Sequence, residues 1–188
     1  MLLKEIKYEG QIKLINTKVA LIGAGGIGCP TGLYLAGAGI GTIGLFDSDV
    51  VDMTNLHRQV GHSTLTLGVS KTASLKRTLQ NLNPNITVNE HPFITVETLN
   101  QLDGYDLVID GSDNPQCRYL VNDYLMSKGR KLLSGACVGW EAQVTCYGGD
   151  NAPCYRCIWG DNQVSMGGCS TLGVIGMLPG FVGMILGI

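Results

Sequence analysis

The stretch Lys18-Val-Ala-Leu-Ile-Gly-Ala-Gly-Gly-Ile-Gly28 constrains this chain more than any other. Val19, Ala20, Leu21 and Ile22 form an unbroken apolar run, the pattern of a strand buried on both faces. Glycines then interrupt it, and the stretch from Cys29 to Ala38 reads as helix. Gly23, Gly25 and Gly28 supply the tight turn, the close backbone approach to phosphate and the close helix-to-strand packing that a nucleotide-binding βα turn requires. The helix N-terminus directs unpaired N–H groups and its positive dipole end at an anion. A second strand, Thr42 to Phe46, ends in Asp47. That is about twenty residues past the glycines, where a carboxylate can hydrogen-bond a ribose hydroxyl. Strand, glycines, helix, strand and acid in this order predict a nucleotide site in an α/β fold.

A chain of 188 residues fits one domain, since domains run to roughly 100–200 residues. With 45% hydrophobic and 15% charged residues it can bury a substantial core and still hide surface in an oligomer. A formal net charge of -2, with no lysine and arginine block, argues against nucleic acid as a partner. Lys4, Glu5, Lys7 and Glu9 exclude a signal-peptide core near Met1. The seven cysteines therefore read as thiols and metal ligands, and the expected location is cytoplasmic.

Along the chain, Gln11 to Asn16 reads as a lead-in to the first strand, and Ser48 to Gln59 as a polar loop with one helical turn. Ser70 to Leu82 has helical spacing, stopped by Asn83-Pro84. Thr87 to Glu90 and Asp106 to Asp110 are further strands, Pro115 to Lys128 a helix ended by Gly129, and Lys131 to Leu133 the next strand. This alternation predicts a Rossmann-like, mostly parallel, doubly wound sheet. After Gly135 the pattern changes: Val138 to Tyr147 alternates like an antiparallel strand, and Gly148 to Asn151 forms a turn. Asp161 to Ser170 is expected to be a mobile crossover loop. Leu172 to Ile188 is apolar but broken by glycines and Pro179. A membrane span needs about 20 continuous apolar residues, so a buried or interface helix is expected.

Five ordered motifs go further: Gly-Ala-Gly-Gly-Ile-Gly-Cys-Pro30, Leu45-Phe-Asp-Ser-Asp-Val-Val-Asp-Met-Thr-Asn-Leu-His-Arg-Gln59, Gly68-Val-Ser-Lys71, Asp110-Gly-Ser-Asp-Asn114 and Pro153-Cys-Tyr-Arg-Cys157. With them the chain resembles the ubiquitin-activating-enzyme-like adenylyltransferases, the group of MoeB, ThiF and the eukaryotic molybdopterin-synthase and tRNA-thiolation sulfurtransferases. Arg118 to Asp123 looks like the eukaryotic branch. The resemblance implies ATP-dependent adenylylation of the C-terminal glycine carboxylate of a ubiquitin-like sulfur carrier ending in Gly-Gly. By the same resemblance, Gly23, Gly25, Gly26 and Gly28 cradle the nucleotide and Asp47 holds its ribose. Asn55, Arg58, Gln59 and Lys71 face the phosphates, Asp113 takes Mg2+, and Asp49 and Asn114 assist.

Cys154 and Cys157 form half of a four-cysteine zinc site, and the family places the other pair closer to its C-terminus than any cysteine here. A redox C-x-x-C is the other reading of this pair. Cys169 matches the family's reactive cysteine, with an inert loop cysteine as the plain alternative. Cys29, Cys117, Cys137 and Cys146 read as packing residues, and no role is expected for His62. A homodimer is implied. The chain departs from the family in having no arginine before Arg58, and its expected single domain, residues 1–188, is C-terminally incomplete. Two other functions stay open: an NAD-dependent oxidoreductase on the same glycine turn, and a nucleotide-binding scaffold that lost its chemistry.

Overall fold

The computed structural model describes residues 3–4, 6–149, 152–160 and 173–188. Six strands form one sheet: β1 (Lys18–Ile22), β2 (Thr42–Phe46), β3 (Thr87–His91), β4 (Leu107–Asp110), β5 (Leu132–Val138) and β6 (Glu141–Tyr147). Their order is β3-β2-β1-β4-β5-β6, parallel except for the antiparallel β5-β6 pair. The helices are α1 (Lys7–Asn16), α2 (Gly28–Ala38), α3 (Lys71–Leu82), α4 (Pro115–Ser127), α5 (Tyr155–Trp159) and α6 (Met177–Leu186). None of the described helices is long and apolar enough to cross a membrane.

The apolar runs of the central strands reflect burial on both faces. Val19 and Leu21 of β1 point into one core with Ile43, Leu45, Leu75, Leu79 and Val182, under α2, α3 and α6. Ala20 and Ile22 point into the opposite core with Phe46, Val108, Val121, Leu125 and Leu132, under α4. Successive strands lie on either side of β1, so the sheet reverses its winding between β1 and β4. Ile22 pairs with Asp110 there, and ligands of open α/β sheets occupy the crevice beyond such strand ends.

Two segments differ from the sequence reading. The lead-in before β1 belongs to helix α1, which buries none of its own residues and therefore lacks a core-facing stripe. It is tied down by Gln11, whose Nε2 donates to the Ala38 carbonyl at 2.9 Å, and by the Gly41 amide on Leu14 O. The short strand expected at Lys131 to Leu133 runs on to Val138 and turns through Gly139-Trp140 into β6. Gly135 is inside that strand because α6 lies against it: a Cβ there would stand 2.6 Å from Val182 Cγ1 and 2.7 Å from Leu186 Cδ1.

Helix α6 also closes on α2. Thr31 Oγ1 shares its proton between Ile27 O at 2.9 Å and Gly183 O at 3.0 Å, and a Cβ on Gly183 would approach Ile27 O to 2.5 Å and Pro30 Cγ to 2.6 Å. The head of α6 sits over the glycine turn: Pro179 Cβ is 3.0 Å from where Gly26 would place a Cβ, and Gly176 lies against the His57 carbonyl.

His62, unassigned from sequence, joins the same turn to α3. Its Nε2 lies 2.8 Å from Ala24 O, which only accepts, so this nitrogen bears the proton. Nδ1 lies 2.9 Å from Ser74 Oγ, which also reaches Thr66 Oγ1 at 3.0 Å. Burial pushes its pKa below the ordinary 6.5, against an opposing pull from the Ala24 carbonyl.

This packing can be tested at two places. Gly183→Ala should lower stability by about 1–3 kcal/mol through overpacking. Gly180→Ala, on the same helix with open space around it, should raise stability by up to about 1 kcal/mol through helix propensity. Thermal melts of both variants check the contrast. For His62 the unfolded chain takes up the proton first as pH falls below 6.5. The stability of the neutral, buried ring is therefore complete above that pH and lost as pH falls toward the folded pKa. Urea unfolding from about pH 8 to about pH 5 should show the wild type losing more stability than His62→Gln.

Candidate functional site

The site begins where β1 ends. Gly23 adopts φ +90°, a left-handed conformation open to glycine, and a Cβ on it would press within 3.1 Å of the Ser112 amide. Gly28 has no room at all, since its Cβ would fall 1.9 Å from the Gly23 carbonyl oxygen. Helix α2 therefore starts hard against the turn, and its N-cap, Ile27, offers no side-chain acceptor to the first amides. The Cys29 amide is already bonded to Gly25 O and residue 30 is a proline without an N–H, so what the turn offers an anion is chiefly the positive end of the helix.

Around this turn the structure gathers many residues singled out from sequence. Asp47 Oδ2 accepts the Ala24 amide and Oδ1 the Asp49 amide, each at 2.8 Å, locking the end of β2 to the glycine loop. A carboxylate has about four lone-pair sites, so capacity remains for a ribose hydroxyl. Asn55 lies half-buried on the short 3-10 turn Met53–Asn55, whose N-cap is Asp52, accepting from Thr54 at 2.8 Å. Thr54 thereby holds the Asp52 carboxyl below its usual range. The Arg58 side chain passes over Gly26, its Cγ 3.4 Å from that glycine's would-be Cβ, and Gln59 Nε2 stands 3.5 Å from that of Gly25. Arg58 Nη1 donates to His57 Nε2 at 3.3 Å, because His57 Nδ1 is turned to the Thr54 carbonyl.

Lys71 opens α3 and is 7% exposed, yet its Nζ reaches Asp49 Oδ2 at 2.7 Å, an acid left 69% exposed. A cation at a helix N-terminus opposes the dipole, and the acid offsets that. Asp113 is exposed, and Asn114 makes the cap of α4, its Oδ1 accepting the Cys117 amide at 3.0 Å.

Sequence reasoning missed the pair beneath Asp113. Asp110 has no exposed surface, and Arg118 Nε meets its Oδ2 at 2.7 Å. Burial alone would lower the Arg118 pKa, and the adjacent Asp110 charge raises it instead above its usual value. The signal was the spacing, which sets Arg118 one turn into α4 on its buried face with Cys117, Val121, Asn122 and Leu125. Two buried side-chain oxygens find no hydrogen-bond partner among the described residues, Gln59 Oε1 and Ser112 Oγ. They flank the glycine turn on opposite sides, Gln59 beside Gly25 and Ser112 beside Gly23. The Ser112 hydroxyl is within reach of the Cys117 thiol, which leaves Gln59 Oε1 as the buried acceptor with capacity for a polar ligand.

The paired cysteines lie apart from the turn, on α4. Cys154 and Cys157 hold their sulfurs 3.4 Å apart. Their segment is docked by the Tyr155 amide on Asn122 Oδ1 at 2.8 Å and by a two-pronged Arg156–Asp123 pair at 2.7 Å. Burial pushes the Cys154 thiol up, and hydrogen bonds from Cys157 and Asn122 outweigh it, so the pKa lies below the usual value. Among the described residues no third metal-binding side chain joins them. Cys29 and Cys117 are packing residues with thiols raised to about 12 by burial. Cys146 differs from that reading: β6 is an edge strand and leaves it exposed. Cys169 and the expected crossover loop fall outside the described residues, apart from Gly160 before it and Gly173 after it.

Known proteins resemble this chain in sequence and in fold. The adenylyltransferase and sulfurtransferase MOCS3 of Dictyostelium discoideum is 45% identical over 185 residues, 96% of this chain and 44% of the relative. Adenylyltransferase and sulfurtransferase UBA4 of Kluyveromyces lactis is 42% identical over 183 residues, covering 94% of this chain and 41% of its own. The chain thus spans less than half the length of these curated relatives. Among solved structures, E. coli MccB with ATP superposes with TM-score 0.79 at 28% identity, over 94% of this chain and 55% of MccB. The microcin C7 biosynthetic enzyme MccB in complex with N-formylated MccA gives 0.81 at 26% identity, over 94% and 56%. The ThiF family model matches residues 1–187, and the chain belongs to the ThiF family.

Proposed function

We propose that this chain is an adenylating domain that joins the adenylyl group of ATP to the C-terminal glycine carboxylate of a ubiquitin-like sulfur carrier, in the cytoplasm. The observation behind this reading is the glycine turn between β1 and α2, to which Asp47 is locked and over which Arg58 and Gln59 pass. The likeness to MOCS3 and to ATP-bound MccB supports it.

The chemistry asks for little proton transfer. A terminal carboxyl has a reference pKa of about 3.3–3.7, so the nucleophile is ionised at neutral pH. It attacks the α-phosphorus, the bond to the bridging oxygen breaks, and pyrophosphate leaves with that electron pair. The barrier is the approach of an anion to a polyanion, and preorganised positive charge lowers it. Arg58 presents a planar fork to phosphate, and its present partner is only a histidine nitrogen. Lys71 supplies a point charge by exchanging the exposed Asp49 for a phosphate oxygen. Asp47 orients the ribose, while Asn55, Gln59 and Asn114 fix the phosphates and the base. Asp113 would hold Mg2+, which when bound shields phosphate charge and steadies the leaving pyrophosphate.

Cys154 and Cys157 would provide two of the four ligands of a structural zinc site, and Cys169 a thiol for the sulfur step. An apolar groove between α2 and α6, lined by Pro30, Leu33, Tyr34, Val60, Leu82 and Met184, supports a homodimer.

Exchange of labelled pyrophosphate into ATP, dependent on a carrier ending in Gly-Gly, tests the reading. Asp113→Ala should cut the exchange rate by about 10²–10³-fold. Its melting temperature should stay within error of the wild type, since Asp113 is exposed. A wild-type chain that takes up MgATP without exchange would be a scaffold. One that binds NAD in preference to ATP would be an oxidoreductase.

A further inference from the structure

We infer that Arg118 is a positioning residue for the adenylation reaction: through Ser112 it fixes the backbone from which Asp113 meets the metal-bound nucleotide. The inference rests on the reading above for what Asp113 does and on geometry for what Arg118 does.

Asp113 itself makes no hydrogen bond among the described residues, so its aim depends on the peptide units around it. Both backbone groups of the preceding residue are clamped by one buried ion pair. The Ser112 amide donates to Asp110 Oδ1 at 3.0 Å, and the Ser112 carbonyl accepts from Arg118 Nη2 at 2.7 Å. The same guanidinium closes on Asp110 Oδ2 through Nε at 2.7 Å and leans on Gly135 O of β5 at 3.4 Å. On the far side, Asn114 is fixed as the cap of α4. Asp113 is thus an exposed acid between two immobile neighbours.

An ion pair in this place is a poor choice for stability alone. Two charges withdrawn from water regain at best about what well-packed apolar side chains of similar volume would give. What apolar residues could not do is hold a carboxylate and a carbonyl at once with two prongs in fixed relation, as a planar guanidinium does. Lysine would keep the charge on Asp110 and lose the second prong, so Arg118→Lys separates the two roles.

The experiment compares wild type with Arg118→Lys in pyrophosphate exchange, in Mg2+ titration of that exchange, and in ligand-free hydrogen exchange. Groups that support a metal ligand typically alter metal affinity or activity by about 10–100-fold. The expected result is a kcat lower by about that factor, half-saturation with Mg2+ raised about tenfold, and KM for ATP within about twofold. Without any ligand, amide exchange should accelerate across residues 111–114 and stay unchanged in β4. Unchanged kcat and unchanged exchange at 111–114 would overturn the inference. So would a rise in amide exchange spread over the whole sheet with KM and kcat failing together, the mark of a purely structural role.

If Arg118→Lys does not fold, the neutral pair Asp110→Asn with Arg118→Gln removes the buried charges and the fork together, and the same readouts decide. A wild-type chain inactive in pyrophosphate exchange would overturn the adenylation reading itself. Local loosening at 111–114 would then remain as evidence for the clamp alone.

Discussion

The fold and its site depend on one missing carbon. Helix α2 begins where residue 28 touches the carbonyl of residue 23, and even a methyl group there would overlap that oxygen at 1.9 Å. Because the contact is possible, the first turn of α2 sits at the end of β1 and its positive end lies beside the crevice between β1 and β4. The rest follows in order: α3 and α6 pack on α2, and the loop from β2 folds back onto the turn through Asp47. Longer packing distances between helix and strand would have left the same residues without a common focus.

Three cations surround this focus, and their partners divide the labour. Arg118 is buried with a buried acid and belongs to the framework. Lys71 is buried, but its partner Asp49 is an acid that water reaches freely and that can be exchanged for another anion. Arg58 has no carboxylate partner among the described residues. The framework charge is committed, while the other two are held loosely enough to change partners when a more strongly charged anion arrives.

Much of this was legible in the residues. The apolar run Val19 to Ile22 and the glycines after it fixed β1, the turn and α2 because burial on both faces and loss of Cβ leave few alternatives. Helical spacing from Ser70 and the proline at 115 marked the starts of α3 and α4, where Ser70 and Asn114 turn out to accept an amide three residues on. Helix α1 was missed because it buries no residue fully and rests on the core through Leu14 alone, so no periodic core stripe existed to read. The β5 extension was missed because its small residues are dictated by α6, a helix distant in sequence. His62 and Arg118 were missed for a related reason. Their partners, Ala24, Ser74 and Asp110, come together only when the sheet assembles.

The seating of α6 has a mechanical consequence. Its first residues are wedged between Gly26 of the turn and the His57 carbonyl, and its middle is pinned to α2 by Thr31 and Gly183. The helix thereby ties the glycine turn, the loop that carries Arg58 and the start of α2 to one another, so whatever displaces it disturbs all three together.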